Sequence, residues 1–162
     1  MNVHESQRGY FAAELYRQME ANENVWLLVG DLGYKMFDDI RDKFPDRFIN
    51  CGASEQAMLG MAVGLALEGK VPWVYTISSF MLRAAETIAL YLHGEQVPVK
   101  LIGAGRGKDY NHDGPSHDGT LAEVFLKGLN IVQFYPETKE DVPGMVKEML
   151  ANNKPSFISL RR

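Results

Sequence analysis

The sequence predicts one α/β domain over residues 1–162, with a mostly parallel sheet of about six strands flanked by helices. Three observations predict it. Apolar runs of strand length alternate with segments of helical periodicity along the whole chain. Glycine and polar clusters follow the apolar runs, where strands of a parallel sheet give way to helices. A chain of 162 residues is also long enough for one domain with a substantial core and short for two.

Each element has its own signal. Residues 6–21 carry Phe11, Leu15 and Met19 with Ala12, a helical stripe. VWLLVGD (25–31) is an apolar run ending at a glycine, as a buried parallel strand would be. Phe37, Ile40 and Phe44 suggest a short helix before the strand RFINC (47–51). Residues 55–68 read as a helix that is apolar nearly all round. VPWVYTI (71–77) reads as a strand, and Phe80 to Leu92 as a second buried helix. VPVKLIGAG (97–105) is a strand entering a Gly-rich loop that lasts to about Gly119. A helix (120–127), the strand NIVQFY (130–135), a helix (138–151) and the strand SFISL (156–160) complete the pattern. No repeat, linker or low-complexity tract interrupts it.

Composition narrows the function classes. Hydrophobic residues at 46% and charged residues at 23% are ordinary globular values and argue against disorder. A net charge of −4 and a pI near 5.6 argue against a nucleic-acid face and favour a soluble cytoplasmic protein. The single cysteine, Cys51, has no partner for an intramolecular disulfide, which fits a reducing compartment. The opening MNVHESQRGYFAAEL has no apolar h-region, so no signal peptide is expected, and no apolar run is long enough for a membrane span.

Ligands of parallel sheets gather at the carboxyl ends of the strands. Those ends hold GDLGY, NCGASE, TISSF and GAGRGKDYNHDGPSHDG. GAGRGK invites a nucleotide-binding reading, but Gly103, Gly105 and Gly107 give GxGxG rather than GxGxxG. Asp109 follows Lys108, so the P-loop ending is missing too, and a flexible loop is the simpler reading. His112, Asp113, His117 and Asp118 raise a metal site, but the loop is too turn-rich for helical ligand pairs, and a ligand-contacting loop suits them better. Gly60 and Gly64, with Ala53 and Ala57, fit either a helix buried in its own domain or a subunit interface shared with the segment 80–92. Glu55 opens the apolar helix. It is either a first-turn residue favoured by the helix dipole or a carboxyl group that holds a proton for a ligand.

Four segments occur in register: DLG (31–33), CGASEQAMLGMAVGLALEG (51–69), YTISSFMLRAAE (75–86) and DGPSHDG (113–119). Together they resemble the pyrimidine-binding domain of the transketolase family, including deoxyxylulose-phosphate synthases, over about residues 8–162. PSFISLRR resembles the closing strand of that domain. The family binds thiamine diphosphate between two domains, and its glutamate facing N1′ of the aminopyrimidine matches Glu55. A carboxyl group in an apolar setting can share a proton there and so activate the cofactor. The resemblance makes Phe80 the aromatic that stacks on the aminopyrimidine. It places Ile77 where transketolases often carry another aromatic, and Arg83 where the synthases carry Arg. Asp31 and Leu32 match a segment beside the cofactor. Asp113 and His117 match the loop that contacts donor hydroxyls and moves protons, and Arg162 matches an Arg that binds substrate phosphate.

The departures matter as much. Gly105 stands near a phosphate-contacting His of many transketolases, which questions a sugar-phosphate acceptor. The GDG…N motif that holds the diphosphate and Mg²⁺ in the family's other domain has no counterpart, since residues 30–32 read GDL, and no metal site is expected in this chain. A separate diphosphate-binding subunit is therefore expected as partner, in a hetero-oligomer such as α2β2, acting on sugar substrates. The implied reaction moves a two-carbon ketol unit from a ketose donor to an aldehyde acceptor. The rivals are half of a 2-oxo-acid decarboxylase or dehydrogenase-type thiamine enzyme, and a non-catalytic interaction module of the same fold. Asp113 and His117 favour sugar handling.

Overall fold

The structure is a computed structural model that describes residues 3–162. Six strands form one sheet: β1 (Val25–Val29), β2 (Phe48–Asn50), β3 (Val71–Ile77), β4 (Lys100–Ala104), β5 (Val132–Phe134) and β6 (Ser156–Leu160). Their spatial order is β2-β1-β3-β4-β6-β5 and every pairing is parallel. One register row runs Leu28, Val74, Leu101, Phe157 across the four central strands.

Helices cover both faces, so strand residues on either side must be apolar, and this explains the continuous runs read from the sequence. On one face α1 (Gln7–Ala21), α2 (Asp38–Lys43) and α6 (Val142–Ala151) pack Phe11, Leu15, Ile40 and Val146 against Leu27, Trp73, Tyr75 and Ile158. On the other, α3 (Glu55–Leu67), the segment 78–94 and α5 (Thr120–Lys127) pack Met58, Ile88 and Leu126 against Leu28, Val74 and Phe157. The N-terminus of α1 is fixed by Ser6, whose Oγ accepts from the Gly9 amide at 3.1 Å. Among the described residues no helix is long and apolar enough to cross a membrane.

Several expectations need correction. The segment expected as one helix over Phe80–Leu92 begins earlier as a 3₁₀ helix (Ser78–Ala84), makes one α turn, α4 (Ala85–Thr87), and widens into a π-helix (Ile88–Gly94). The burial spacing explains the change. Ser78, Met81 and Ala84 are buried three apart, and Ala84, Ile88 and Leu92 four apart, so the winding follows the core contacts. The strand expected over 97–105 starts only at Lys100, because Val99 N–H turns back to Val97 O at 2.8 Å. Likewise the helix expected from 138 starts at Val142, since Asp141 Oδ2 draws the amides of Glu137 and Thr138 into a turn. The helix α3 is not buried all round. Gly60 and Gly64 lie on its exposed side, where an added Cβ would meet no atom within 4 Å, and Leu67 is 69% exposed.

Two contacts test this architecture. A Cβ on Gly103 would lie 2.5 Å from Ser78 Oγ and 2.9 Å from the Phe157 ring. Gly103→Ala should therefore cost about 1–3 kcal/mol and lower Tm in thermal melts; an unchanged Tm would contradict the packing. At the start of the same strand Lys100, 1% exposed, donates from Nζ to Asn152 O (2.8 Å), Asn152 Oδ1 (3.0 Å) and Lys154 O (2.7 Å). Burial pushes its pKa from the ordinary 10.5 down to about 8. Between those values the unfolded chain binds a proton that the folded chain has released, so the contribution of Lys100 to stability rises with pH. In urea titrations the native protein should gain on a Lys100→Met variant from pH 8 to 10.5, and a constant gap would refute this.

Candidate active site

The carboxyl ends of β1, β2, β3 and β4 share one edge of the sheet, and the polar loops rise from it. Glu55 is the first residue of α3 and is only 2% exposed. Its Oε1 accepts from Arg83 Nη1 at 2.9 Å, while among the described residues no donor reaches Oε2. Arg83 is half exposed and lies over Phe80, with Cζ 4.0 Å from the ring centre. His117 also neighbours Phe80, with its ring 5.0 Å away at 64°. Ser116 Oγ sits 3.0 Å from His117 Nδ1, and Ser79 Oγ donates to Ser116 O at 2.7 Å, which ties the His117 loop to the Phe80 helix. Glu55, Arg83, Phe80 and His117 thus form one contiguous row.

A second group surrounds a cavity of about 650 Å³ on the α1 side of the sheet edge, lined in part by Leu32, Ile77 and Asp113. Glu55, Phe80, Arg83 and His117 do not line it. Asp113 Oδ2 lies 3.3 Å from His112 Nε2, which is itself 3.0 Å from Arg162 Nη1. Arg162 therefore reaches Asp113 through His112. Asp31 adopts φ +55°, rare outside glycine, held by paired contacts with Asn50: Asp31 N–H to Asn50 Oδ1 (3.1 Å) and Asn50 Nδ2 to Asp31 Oδ1 (3.2 Å). Hydrogen bonds from the Tyr34 hydroxyl and from Asn50 hold the Asp31 carboxyl below the usual carboxylate range.

Sequence reasoning missed Arg8, Tyr34, Lys35 and Tyr110, which also line the cavity. Arg8 is half-buried, its Nε is buried without a partner, and its Nη1 donates to the Tyr110 hydroxyl at 2.6 Å. No described carboxylate pairs with it. An arginine in the first turn of a helix carries no motif, so only the fold could bring it to a site 102 residues away. Among the described residues no three His, Cys, Asp or Glu side chains are placed to hold a metal ion.

The family described as "Transketolase, pyrimidine binding domain" matches residues 6–162. A 1-deoxy-D-xylulose-5-phosphate synthase of Syntrophus aciditrophicus is 31% identical over 122 residues, covering 75% of this chain and 19% of that protein. A "Putative transketolase C-terminal section" of Methanocaldococcus jannaschii is 27% identical over 163 residues, covering 99% of this chain and 52% of that protein. The chain thus spans between about a fifth and half of the length of these relatives. A solved structure described as "Split gene transketolase, inactive beta4 tetramer" superposes with a TM-score of 0.85 at 27% identity, covering 97% of this chain and 51% of that one. Transketolase from Leishmania mexicana superposes equally well at 18% identity, a likeness of fold, covering 99% of this chain and 26% of that one. The six-stranded parallel sheet and a family match over residues 6–162 agree: this chain belongs to the transketolase pyrimidine-binding domain family.

Proposed function

We propose that the chain is the pyrimidine-binding subunit of a thiamine-diphosphate-dependent, transketolase-like enzyme that transfers a two-carbon ketol unit from a ketose donor to an aldehyde acceptor. The observation that carries this reading is Glu55, a buried carboxylate with Oε1 paired and Oε2 open, joined through Arg83 to the ring of Phe80. These residues fit the aminopyrimidine: a proton-sharing oxygen for a ring nitrogen and an aromatic face for stacking. When bound, thiamine diphosphate supplies the nucleophilic carbon and electron sink that cleavage of a carbon–carbon bond beside a carbonyl requires.

The chain's own side chains do the rest. Glu55 Oε2 holds the proton shared with the ring nitrogen, and Arg83, on Oε1, keeps the carboxyl group oriented. Leu32 and Ile77 supply apolar wall, and Asp31, fixed by Asn50, shapes the β1 end of the site. His117, with Nδ1 against Ser116, keeps Nε2 for a substrate proton, and Asp113 accepts from donor hydroxyls. Arg8 and Lys35 in the cavity, with Arg162 beyond His112, favour a substrate carrying an anionic end. That offsets the doubt raised by Gly105.

A separate subunit holding the diphosphate and Mg²⁺ completes the site in this reading, in an assembly such as α2β2. Two similarities support it, the split-gene transketolase structure and the C-terminal-section relative. So do the exposed Leu67, Leu90, Leu121 and Val124, which give a partner apolar surface to cover. A second reading, a synthase-type half that decarboxylates a 2-oxo acid, is favoured by the Arg83–Glu55 pair and the similarity to deoxyxylulose-phosphate synthases.

Calorimetry with thiamine diphosphate and Mg²⁺ tests the assembly. The expected result is no saturable heat with this chain alone and clear binding after mixing with a GDG…N subunit; tight binding by this chain alone would overturn the split arrangement. In the mixed enzyme Glu55→Gln should keep the native Tm and lower kcat for ketol transfer by at least about a thousandfold. Full activity in that variant would remove Glu55 from the mechanism, and turnover of 2-oxo acids in place of ketoses would favour the second reading.

A further inference from the structure

Tyr110 has no role in the reading above, yet its half-buried ring is held by contacts on several sides in the cavity wall. Beneath it lies Gly105, whose φ is +80° and whose added Cβ would fall 2.2 Å from the Tyr110 ring. The ring takes the volume that any side chain at 105 would need. Its hydroxyl accepts from Arg8 Nη1 at 2.6 Å. The Arg162 guanidinium stands 5.5 Å from the ring centre and that of Arg8 5.9 Å, so two cations share one aromatic ring. Backbone below, guanidinium at the tip and guanidinium at the side leave the ring one position. Asp113 follows three residues later in the same loop and lines the same cavity.

We infer that Tyr110 is a specificity-determining residue: it is the end wall that limits how long a ketose donor can extend from Asp113. This deepens the ketol-transfer reading and rests on it. A wall held on three sides does not yield to a longer substrate by rotating, so extra carbons at the far end of a donor meet the ring. Removing the ring opens that space, whereas removing only the hydroxyl leaves the wall in place and frees Arg8.

The experiment uses the mixed enzyme and five-, six- and seven-carbon ketose phosphates as donors. Tyr110→Ala should raise the seven-to-five-carbon ratio of kcat/KM by about tenfold or more. Tyr110→Phe should raise KM for all three donors and leave the ratio within about twofold. A Tyr110→Ala ratio within about twofold of the unsubstituted enzyme would overturn the inference while leaving ketol transfer intact. An unsubstituted enzyme that transfers from no ketose would sink the functional reading and this one together. Thermal melts give an arm that needs no turnover. Gly105→Ala should lower Tm, and part of that loss should vanish when it is combined with Tyr110→Ala, because the backbone strain at φ +80° is common to both and only the ring clash is relieved. Strictly additive losses would mean the ring does not press on Gly105.

Discussion

The molecule depends on where its strands stop. The parallel register places Ile77, Ala104 and Leu160 in one row, and each is the last residue of its strand. Backbone hydrogen bonding fixes that row, because a parallel ladder leaves no freedom to shift one strand along another without breaking several bonds. The Phe80 helix, the Gly105 loop and the terminal arginines therefore start from the same level. The β1 strand ends lower, at Val29, which pairs with Tyr75, and the Gly30 amide adds one more bond to Tyr75 O at 3.1 Å. The resulting step lets Leu32 and Tyr34 lie beside the cavity that Ile77 and Asp113 also line.

On this platform a carboxylate is buried at a helix start. Taking such a group out of water is costly unless it is paired, and Glu55 has a single described partner, Arg83, which is itself half exposed. The pair is asymmetric. Its basic member can exchange its contact for water at little cost, while its acidic member has nowhere to go. A structural ion pair in a core would be buried on both sides; here the acid is buried, one of its oxygens is open and its partner is half exposed.

How much of this was legible in the sequence depends on the range of the interaction. The six strands could be read because both-face burial writes an uninterrupted apolar run. Glu55 stood out because a lone acid heads such a helix. The four-segment register tied Glu55, Phe80, Asp113 and His117 to one end of the sheet, and the structure puts Glu55, Phe80 and His117 in one row and Asp113 on the adjoining cavity. Arg8 and Tyr110 stayed hidden, because their significance lies in a contact across 102 residues and no local pattern marks it. The starts of the strand at Lys100 and of the helix at Val142 were misplaced because the turn contacts that set them, at Val99 and at Asp141, are weaker in sequence than the apolar pattern around them. The winding of 78–94 was missed for a different reason: apolar residues three and four apart are read as one helix, while here the pitch widens in succession from 3₁₀ through one α turn to π.

That tight first pitch has a geometric consequence. In a helix of three residues per turn, positions i and i+3 eclipse, one above the other; in an α-helix the same pair is offset by about 60°. Phe80 and Arg83 are such a pair, inside the 3₁₀ stretch. The winding thus acts as a ladder whose rungs line up: the guanidinium stands over the ring and still reaches back to Glu55. Relaxing this one turn to ordinary α geometry would offset the rungs sideways, with no residue changed. The Phe80–Arg83 alignment is a property of backbone pitch as well as of side-chain identity.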